Sequence, residues 1–425
     1  SGGVKKDMRD QQVDDQVLVG IDVGTTKICT LVAQVDSPGQ MRILGVGIEP
    51  SQGLRKGVVV DLDATAKAIT RSVDKAERSS GLEITSALVS LAGSGVSSVN
   101  NAGAVGVARG VVQGDDVARA VDSARAISVP HNHEVVHVIQ RGFKLDGQDG
   151  IRTPIGMHAY RLEVETHIIT SSAASVENLR QCIQETGVEV SQFVLNPLAA
   201  AEEALTETER QMGAVICDVG GGTTDLAVYV DGDVWHTAVL AVGGNHITSD
   251  IAQGMRLPMS LAEEIKLGHG HSLENEVDAN QYIPVRTFGD QQSIQIGHRE
   301  LAHIVNARVE EIFSMVVQEI KRSGYDGLFP AGMVLTGGSS ALPGIRSVAS
   351  KVMGLPVRIA QPKDLVGMTD SLFSPAFTTS VGLLRWAVLM GEVAPQNERP
   401  RYRHGINGNR IDWEFAKTWI KRLLP

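Results

Sequence analysis

The sequence predicts an α/β protein of two lobes that close on one central cleft. The first observation is a pair of similar loops, VGIDVGTTK at residues 19–27 and CDVGGGTTD at residues 217–225. Each loop stands between two β-branched runs, which is the pattern of a hairpin. The second observation is that strand and helix patterns alternate after each loop, as in two related α/β units. A chain of 425 residues is long enough for each unit to have its own core.

The two loops have the composition of anion-binding turns. Glycine lets a phosphate approach the backbone, and successive N–H groups that point inward form a binding nest. The expected phosphate ligands are Gly24, Thr25, Thr26 and Lys27 in the first loop and Gly220, Gly221, Gly222, Thr223 and Thr224 in the second. One loop alone could equally be a tight hairpin turn, but two copies favour a polyphosphate held between two lobes.

An aspartate lies two residues before the first glycine of each nest, Asp22 in one and Asp218 in the other. A carboxylate that faced phosphate directly would repel it. We therefore expect both aspartates to hold Mg2+ through water, since this ion keeps most of its waters and touches few carboxylates. A further candidate is Gly337 and Gly338, followed by Ser339, at a strand-to-helix junction where a flat base could lie over bare backbone.

The pattern of strands, helices and polar segments divides the chain into seven parts. The expected parts are a disordered N-terminus (1–15), a core of lobe I (16–92 and 169–209), an inserted α+β module (93–168), a core of lobe II (210–250 and 330–390), an outer subdomain of lobe II (251–329), a flexible linker (391–410) and an amphipathic helix (411–425).

Composition excludes several classes of protein. The net charge of -10 argues against a general nucleic-acid binder. No apolar stretch reaches the roughly 20 residues that a membrane-spanning helix needs. No secretory signal precedes the first strand, so we expect a cytosolic compartment. The three cysteines have no metal-ligand spacing and are expected to be buried thiols.

The order of these motifs resembles the actin, Hsp70 and sugar kinase superfamily, and within it the FtsA family of bacterial cell-division proteins. The resemblance rests on GIDVGTTK at 20–27, DVGGGTTD at 218–225, VGGN at 242–245, AEEIK at 262–266 and VLTGGS at 334–339. It implies an actin-like two-lobed fold with a central nucleotide cleft, in which the inserted module replaces one subdomain. ATP and Mg2+ would be the cofactors.

The resemblance adds three residues to the nucleotide site. It implies that Gly243 lies at a turn of the site and that Glu263 and Lys266 face the adenosine. Their spacing places Glu263 and Lys266 on one helix face, although an ordinary surface ion pair would have the same spacing.

One position departs from the pattern of the superfamily. Asn196 stands where chaperone relatives have Glu and where actin has a Gln nearby, both of which help to organise the attacking water. An amide cannot act as a general base, so we expect ATP binding with slow or no hydrolysis. Asn196 is at most a water-positioning residue.

The last segment has the pattern of a helix that lies in a membrane interface. Its apolar residues fall on one broad face, and basic residues line the borders of that face. The expected membrane contacts are Ile411, Trp413, Phe415, Trp419, Ile420 and Leu423, with Lys417, Lys421 and Arg422. From residue 391 onward seven Lys and Arg stand against four Asp and Glu, which favours anionic lipid. The alternative is a helix that docks on its own domain or on a partner.

The resemblance also implies partners and a location. These are the C-terminal peptide of the tubulin-like ring protein FtsZ, other copies of the chain, anionic lipid and other division proteins, at the cytoplasmic face of the inner membrane and the division septum. Arg299 and Arg308 are candidate contacts for the acidic FtsZ peptide, although a solvated helix face would look the same. The alternatives are a pilus-assembly ATPase and a small-molecule kinase of the same fold.

Overall fold

A computed structural model describes residues 17–37, 40–286, 293–325, 327 and 329–393. The expected disordered N-terminus, most of the expected linker and the expected amphipathic helix lie outside these residues. Among the helices within them, none combines the length and the apolar character needed to cross a membrane.

The described residues form 19 β-strands and ten α-helices. The strands are β1 (Val17–Val23), β2 (Lys27–Ser37), β3 (Gln40–Pro50), β4 (Leu54–Arg55), β5 (Val58–Val59), β6 (Ser86–Leu91), β7 (Ser97–Gly106), β8 (His133–Leu145), β9 (Gln148–Ile151), β10 (Arg161–Ser172), β11 (Glu189–Leu195), β12 (Ala214–Val219), β13 (Thr224–Val230), β14 (Asp233–Leu240), β15 (Tyr282–Arg286), β16 (Ser293–Gly297), β17 (Met333–Thr336), β18 (Val357–Ile359) and β19 (Leu365–Gly367). The α-helices are α1 (Leu62–Ser80), α2 (Gly114–Arg125), α3 (Ala173–Gln184), α4 (Asn196–Ala204), α5 (Glu207–Met212), α6 (Gly244–Gly254), α7 (Met259–His269), α8 (His298–Arg322), α9 (Ile345–Met353) and α10 (Thr378–Val393).

Lobe I is a six-stranded sheet in the order β11-β6-β1-β2-β3-β19. Strands β1, β2 and β3 form an antiparallel meander, and β6 and β11 run parallel to β1. Because side chains alternate along a strand, β2 places Ile28 and Val32 on the face covered by α1 and α3. Leu31 of the same strand points to the opposite face, where α10 packs.

Helix α1 shows how the sequence sets these elements. The side chain of Asp61 accepts a hydrogen bond from the amide of Ala64 and caps the first turn. Gly81 ends the helix in the left-handed region at a φ of 72°. Between them, apolar residues recur at helical spacing and face the sheet, including Ile69 and Val73.

Lobe II repeats this plan with a five-stranded sheet in the order β14-β13-β12-β17-β18. Helices α6, α8 and α9 supply apolar residues to one large core with this sheet. Helix α4 lies against the other side, since Ala199 and Ala200 share a cluster with Ile216 and Ala227. The two sheets thus enclose α4 and α10 between them.

The inserted module is a four-stranded antiparallel sheet in the order β7-β10-β8-β9, with α2 on one face. It is continuous with lobe I through β10 and α3. It also meets strand β14 of lobe II through polar contacts. Ser98 donates to the carbonyl of Thr237 at 2.8 Å, and Arg152 donates to Asp233 at 2.7 Å. The module therefore touches both lobes.

The last described segment, residues 365–393, differs from the expected division into lobes. Residues 330–390 were expected to complete lobe II, but β19 pairs with β3 at the edge of lobe I. Helix α10 packs against α4 and against β1, β2 and β6. The reason is that α10 is apolar almost all round, so its pattern does not indicate which sheet it covers.

Candidate functional site

The two glycine loops form the same turn at equivalent places in the two lobes. In the first, the amide of Gly24 donates to the carbonyl of Lys27 at 3.0 Å; in the second, Gly220 donates to Thr223 at 2.9 Å. Each turn closes an antiparallel hairpin, β1–β2 or β12–β13. Equivalent strand positions therefore place Asp22 and Asp218 just before the two turns.

A cavity of about 380 Å3 lies between the loops. Most residues expected to bind nucleotide or metal line it, from both lobes. They are Asp22, Gly24, Thr25, Thr26, Lys27, Asn196, Asp218, Gly220, Gly221, Gly222, Thr223, Glu263, Lys266, Gly337, Gly338 and Ser339. Segments separated by more than three hundred residues thus meet at one site.

Two of the expected ligands, Thr224 and Gly243, lie outside the cavity lining. Thr224 follows Thr223 in an extended strand, so its side chain points to the opposite face. Its hydroxyl donates to the carbonyl of Val242 at 2.8 Å. Gly243 precedes α6, and its amide donates to His246 Nδ1 at 3.1 Å. Both residues support the loops from behind, and Gly244 and Asn245 line the cavity instead.

The carboxylates of Asp22 and Asp218 are buried and held by hydroxyl groups. Asp22 accepts from Ser90 at 2.9 Å and from Ser380 at 2.6 Å. Asp218 accepts from Thr379 at 2.5 Å. Burial, with a smaller contribution from the charge of Asp22, raises the pKa of Asp218 to about 6, although the hydrogen bond from Thr379 lowers it. A nearby cation would favour the ionised form of Asp218.

Asp225 is a buried carboxylate of the cavity that the sequence analysis did not select. It pairs with Asp218 across the second hairpin, and burial holds its pKa well above the usual range. Its Oδ2 accepts from Asn196 Nδ2 and from the Thr223 hydroxyl, each at 3.2 Å. Its position directly opposite Asp218 in a predicted hairpin is the signal that could have identified it.

Two oxygen atoms at this end of the cavity have no hydrogen-bond partner among the described residues. They are Oδ1 of Asn196 and Oδ1 of Asp225. A buried acceptor without a partner is costly, so such atoms indicate a place for a donor that the protein does not itself supply. Water held by a bound cation is a donor of this kind.

The far end of the cavity has the features expected for an adenosine site. Lys266 Nζ donates to Glu263 Oε2 at 2.7 Å and to the Thr248 hydroxyl at 2.9 Å. Glu263 and Lys266 therefore form an ion pair and line the cavity as well. Leu267, which is 76% exposed, also lines this end and offers an apolar surface.

Lys27 contacts the segment that leads into α10. Its Nζ donates to the carbonyl of Ala376, and it stands 4.5 Å from the centroid of the Phe377 ring. Residues 375–377 form a short 3-10 turn just before α10. The cation expected to face phosphate thus borders the cavity and also ties the first loop to the turn before α10.

The two arginines proposed for partner binding differ in their contacts. Arg308 donates through Nε and Nη2 to both oxygens of Asp250, at 2.5 and 2.9 Å, and it also pairs with Glu311. Arg299, in the first turn of α8, is exposed. Arg308 therefore has a structural role within lobe II, whereas Arg299 is accessible to a partner.

The donor set fits a magnesium nucleotide. The glycines of the turns carry no side chain of their own that would shield their backbone amides, and the threonine hydroxyls stand beside those amides. Two buried carboxylates and two unpartnered oxygens supply acceptors of the kind that hydrated Mg2+ takes. Residues from both lobes thus supply amides and hydroxyl groups for the phosphates and acceptor oxygens for the waters of the metal ion.

Two lobes with equivalent hairpin turns facing one cavity define an actin-like protein. Among solved structures with this fold, the "PilM-PilN type IV pilus biogenesis complex" has a TM-score of 0.63 at 16% identity, covering 87% of this chain and 98% of that chain. MreB5 of Spiroplasma citri bound to AMPPNP has a TM-score of 0.53 at 16% identity, covering 89% of this chain and 98% of that chain. The predicted fold class is therefore confirmed.

Sequence comparison is more specific. Residues 215–382 match the family model of the cell division protein FtsA, and residues 93–170 match that of the SHS2 domain inserted in FtsA. The FtsA protein of Pseudomonas aeruginosa is 38% identical over 373 residues, covering 88% of this chain and 89% of that protein. The chain belongs to the FtsA family. The resemblance stated from its motifs is confirmed.

Proposed function

We propose that the cleft binds ATP with Mg2+. The observation that carries this proposal is the meeting of two equivalent anion-binding turns, from opposite lobes, at one cavity with a buried carboxylate behind each turn. The neighbour MreB5, whose structure holds AMPPNP, has the same fold and supports it. Turn amides and the hydroxyls of Thr25, Thr26 and Thr223 would hold the phosphates.

The remaining groups have separate tasks in this proposal. Asp22 and Asp218 would hold Mg2+ through its waters, and the ion would neutralise phosphate charge. Glu263 and Lys266 would border the adenosine, beside the glycine pair at Gly337. Asn196 orients toward Asp225 and offers an amide where a base would stand. We therefore expect turnover to be slow and closure of the lobes to be the main consequence of binding.

A binding titration tests this proposal. Fluorescent ATP is titrated into the full chain with Mg2+ and again with EDTA. We expect the unchanged protein to bind ATP more tightly with Mg2+ than with EDTA. The Asp218→Ala variant should lose this increase in affinity. An exposed aspartate on α1, changed in Asp74→Asn, is the matched control and keeps it. Equal affinity of the Asp218→Ala variant and the unchanged protein, with and without Mg2+, would contradict the proposal.

The proposed role of the bound state is assembly of a division complex at a membrane. Membership of the FtsA family supports a role in cell division. In this role the protein associates with further copies of itself and with other division proteins, and it tethers the FtsZ ring to the cytoplasmic face of the inner membrane at the septum. Residues 411–424 would be the anchor, because their apolar face and basic borders suit an anionic lipid surface.

Vesicle co-sedimentation tests the anchor. The full chain and a variant without residues 411–425 are spun with vesicles of phosphatidylglycerol and phosphatidylethanolamine. We expect deletion, and also Trp419→Glu, to abolish binding, because a charge on the apolar face opposes insertion. Ile406→Glu, an equal change in the expected linker, is the control. Undiminished binding by the deleted chain would refute the anchor.

The FtsZ contact is tested with two arginine variants. We expect Arg299→Ala to weaken binding of an acidic FtsZ C-terminal peptide without loss of stability, since this side chain is exposed. We expect Arg308→Ala to lower the melting temperature, because it leaves Asp250 without its bidentate partner. Peptide binding by fluorescence anisotropy and thermal unfolding are measured on both. Unchanged peptide affinity in both variants would place the contact elsewhere.

A further inference from the structure

The first turn of α10 carries two consecutive hydroxyl groups that each hold one of the cavity aspartates. Thr379 donates to Oδ2 of Asp218 at 2.5 Å, and Ser380 donates to Oδ2 of Asp22 at 2.6 Å. Both side chains are buried. Asp218 belongs to lobe II and Asp22 to lobe I, so one helical turn connects a carboxylate of each lobe.

The other oxygens of the same carboxylates are also fixed in place. Oδ1 of Asp22 accepts from Ser90 of the neighbouring strand at 2.9 Å. Oδ1 of Asp218 lies against the bare Cα of Gly337, where an added Cβ would come within 2.2 Å. Neither carboxylate can turn freely while its hydroxyl partner is in place.

Two buried carboxylates that face one cavity repel each other. A carboxylate that is not held in place can relieve this repulsion by turning away from the other, and the turn removes an acceptor from the cavity. A hydroxyl that donates to one carboxylate oxygen opposes this rotation. It leaves further lone pairs on the oxygen, since a carboxylate has about four acceptor sites.

From this geometry we infer that Thr379 and Ser380 are positioning residues for the metal ion. They hold Asp218 and Asp22, from opposite lobes, in fixed orientations at the cavity that both residues line. The inference rests on the proposed binding of Mg2+ and ATP. It adds two residues that act on the ion through the aspartates, in the way that hydrogen-bond partners of ligands tune other metal sites.

Thr378, in the same turn of α10, is a matched control for Thr379 and Ser380. Thr378 precedes the pair in the same turn, and its hydroxyl bonds to the Thr336 hydroxyl at 2.7 Å. Thr378 is buried like its neighbours, and its hydroxyl has no carboxylate partner within the described part of the chain. If these hydroxyl groups served only the folding of the turn, removing the Thr378 hydroxyl would change ATP binding as much as removing that of Thr379 or Ser380.

The experiment measures the ATP dissociation constant of the full chain in Mg2+ and in EDTA, and takes the ratio. We expect Thr379→Val and Ser380→Ala to reduce the gain from Mg2+ by about 10-fold to 100-fold, with little change in EDTA. Thr379→Ser should restore it, because the hydroxyl returns. Thr378→Val should keep the ratio of the unchanged protein.

An unchanged ratio in Thr379→Val and Ser380→Ala would overturn the inference, and so would an equal loss in Thr378→Val. If Thr379→Val melts too early to be measured, Ser380→Ala and Thr379→Ser carry the test. Failure of the unchanged protein to bind ATP more tightly in Mg2+ would instead refute the proposed function, and with it this inference.

Discussion

Gly222 of lobe II lies directly against Thr25 of lobe I. A Cβ built on Gly222 would come within 2.6 Å of Thr25 Oγ1, and one on Gly221 within 2.0 Å of Thr26 Oγ1. None of the loop glycines is among the residues with positive φ. Glycine is therefore required here by the opposite lobe, because the two turns touch across the cleft.

This contact predicts that Gly222→Ala forces the lobes apart. The new methyl group meets the Thr25 side chain, so we expect a lower melting temperature, weaker nucleotide binding and a larger radius of gyration in small-angle scattering. Gly268→Ala is the control, since a Cβ there meets nothing within 4 Å. It should stabilise α7 by about 0.5–1 kcal/mol. If Gly222→Ala left the radius of gyration and the nucleotide affinity unchanged, contact between the two turns would not determine how far the lobes close.

The raised pKa of Asp225 predicts an unusual pH dependence for the nucleotide-free protein. A carboxyl group whose folded pKa is raised adds stability below its unfolded pKa, and this contribution is lost as the pH rises through the folded pKa. Asp225→Asn stays neutral and should gain stability over the unchanged protein as the pH rises from 4 to 8. Urea unfolding across that range measures the gain, and Asp74→Asn should show none.

Buried histidines predict acid sensitivity at the inserted module. His167 contacts Asn100 Oδ1 at 2.7 Å and Thr237 Oγ1 at 2.9 Å, and burial lowers its pKa to about 3. Burial also lowers the pKa of His137 to about 4. The free energy of unfolding is therefore highest above pH 6.5, the ordinary pKa of histidine. As the pH falls from there toward the two lowered pKa values, each histidine should reduce it by about 1.4 kcal/mol per pH unit.

The acid sensitivity is measured by urea unfolding between pH 7 and pH 4.5. His167→Gln keeps a donor and an acceptor but cannot take up the proton, so its stability should fall less steeply with pH. His131→Gln, at an exposed position, should follow the unchanged protein. A slope in His167→Gln equal to that of the unchanged protein would assign the sensitivity to other groups.

The crossing of α4 and α10 predicts a strong effect at Gly382. A Cβ on Gly382 would stand 1.9 Å from the carbonyl oxygen of Ala199, which is backbone and cannot rotate away. Gly382→Ala should separate the helices and cost on the order of 3 kcal/mol in unfolding free energy. Gly114→Ala, where a Cβ meets nothing within 4 Å, should cost little. Equal stabilities by urea unfolding would contradict this packing.

Local chemistry explains which parts of the site could be predicted. The glycine loops, Asp22 and Asp218 were identified because turn residues and a carboxylate stand together in the sequence. Asp225 was missed because its place in the cavity depends on pairing across the hairpin. Thr379 could not be found at all, since 161 residues separate it from Asp218.

The same limit applies to the fold. Alternating patterns predicted strands and helices in both lobes, because each pattern depends only on neighbouring residues. The placement of α10 and β19 in lobe I depends on long-range packing. Strand β19 has three residues, Leu365–Gly367, too few for a period to identify the sheet that it joins.

The return of the chain to lobe I has a consequence for synthesis. The sheet of lobe I begins at residue 17, yet its edge strand and the helix over one face come from residues 365–367 and 378–393. While the ribosome makes the residues between, Leu31 and Met41 on that face have no covering helix. Since N-terminal units usually fold first, this lobe reverses the usual order. The nascent protein must carry an open apolar sheet until helix α10 emerges.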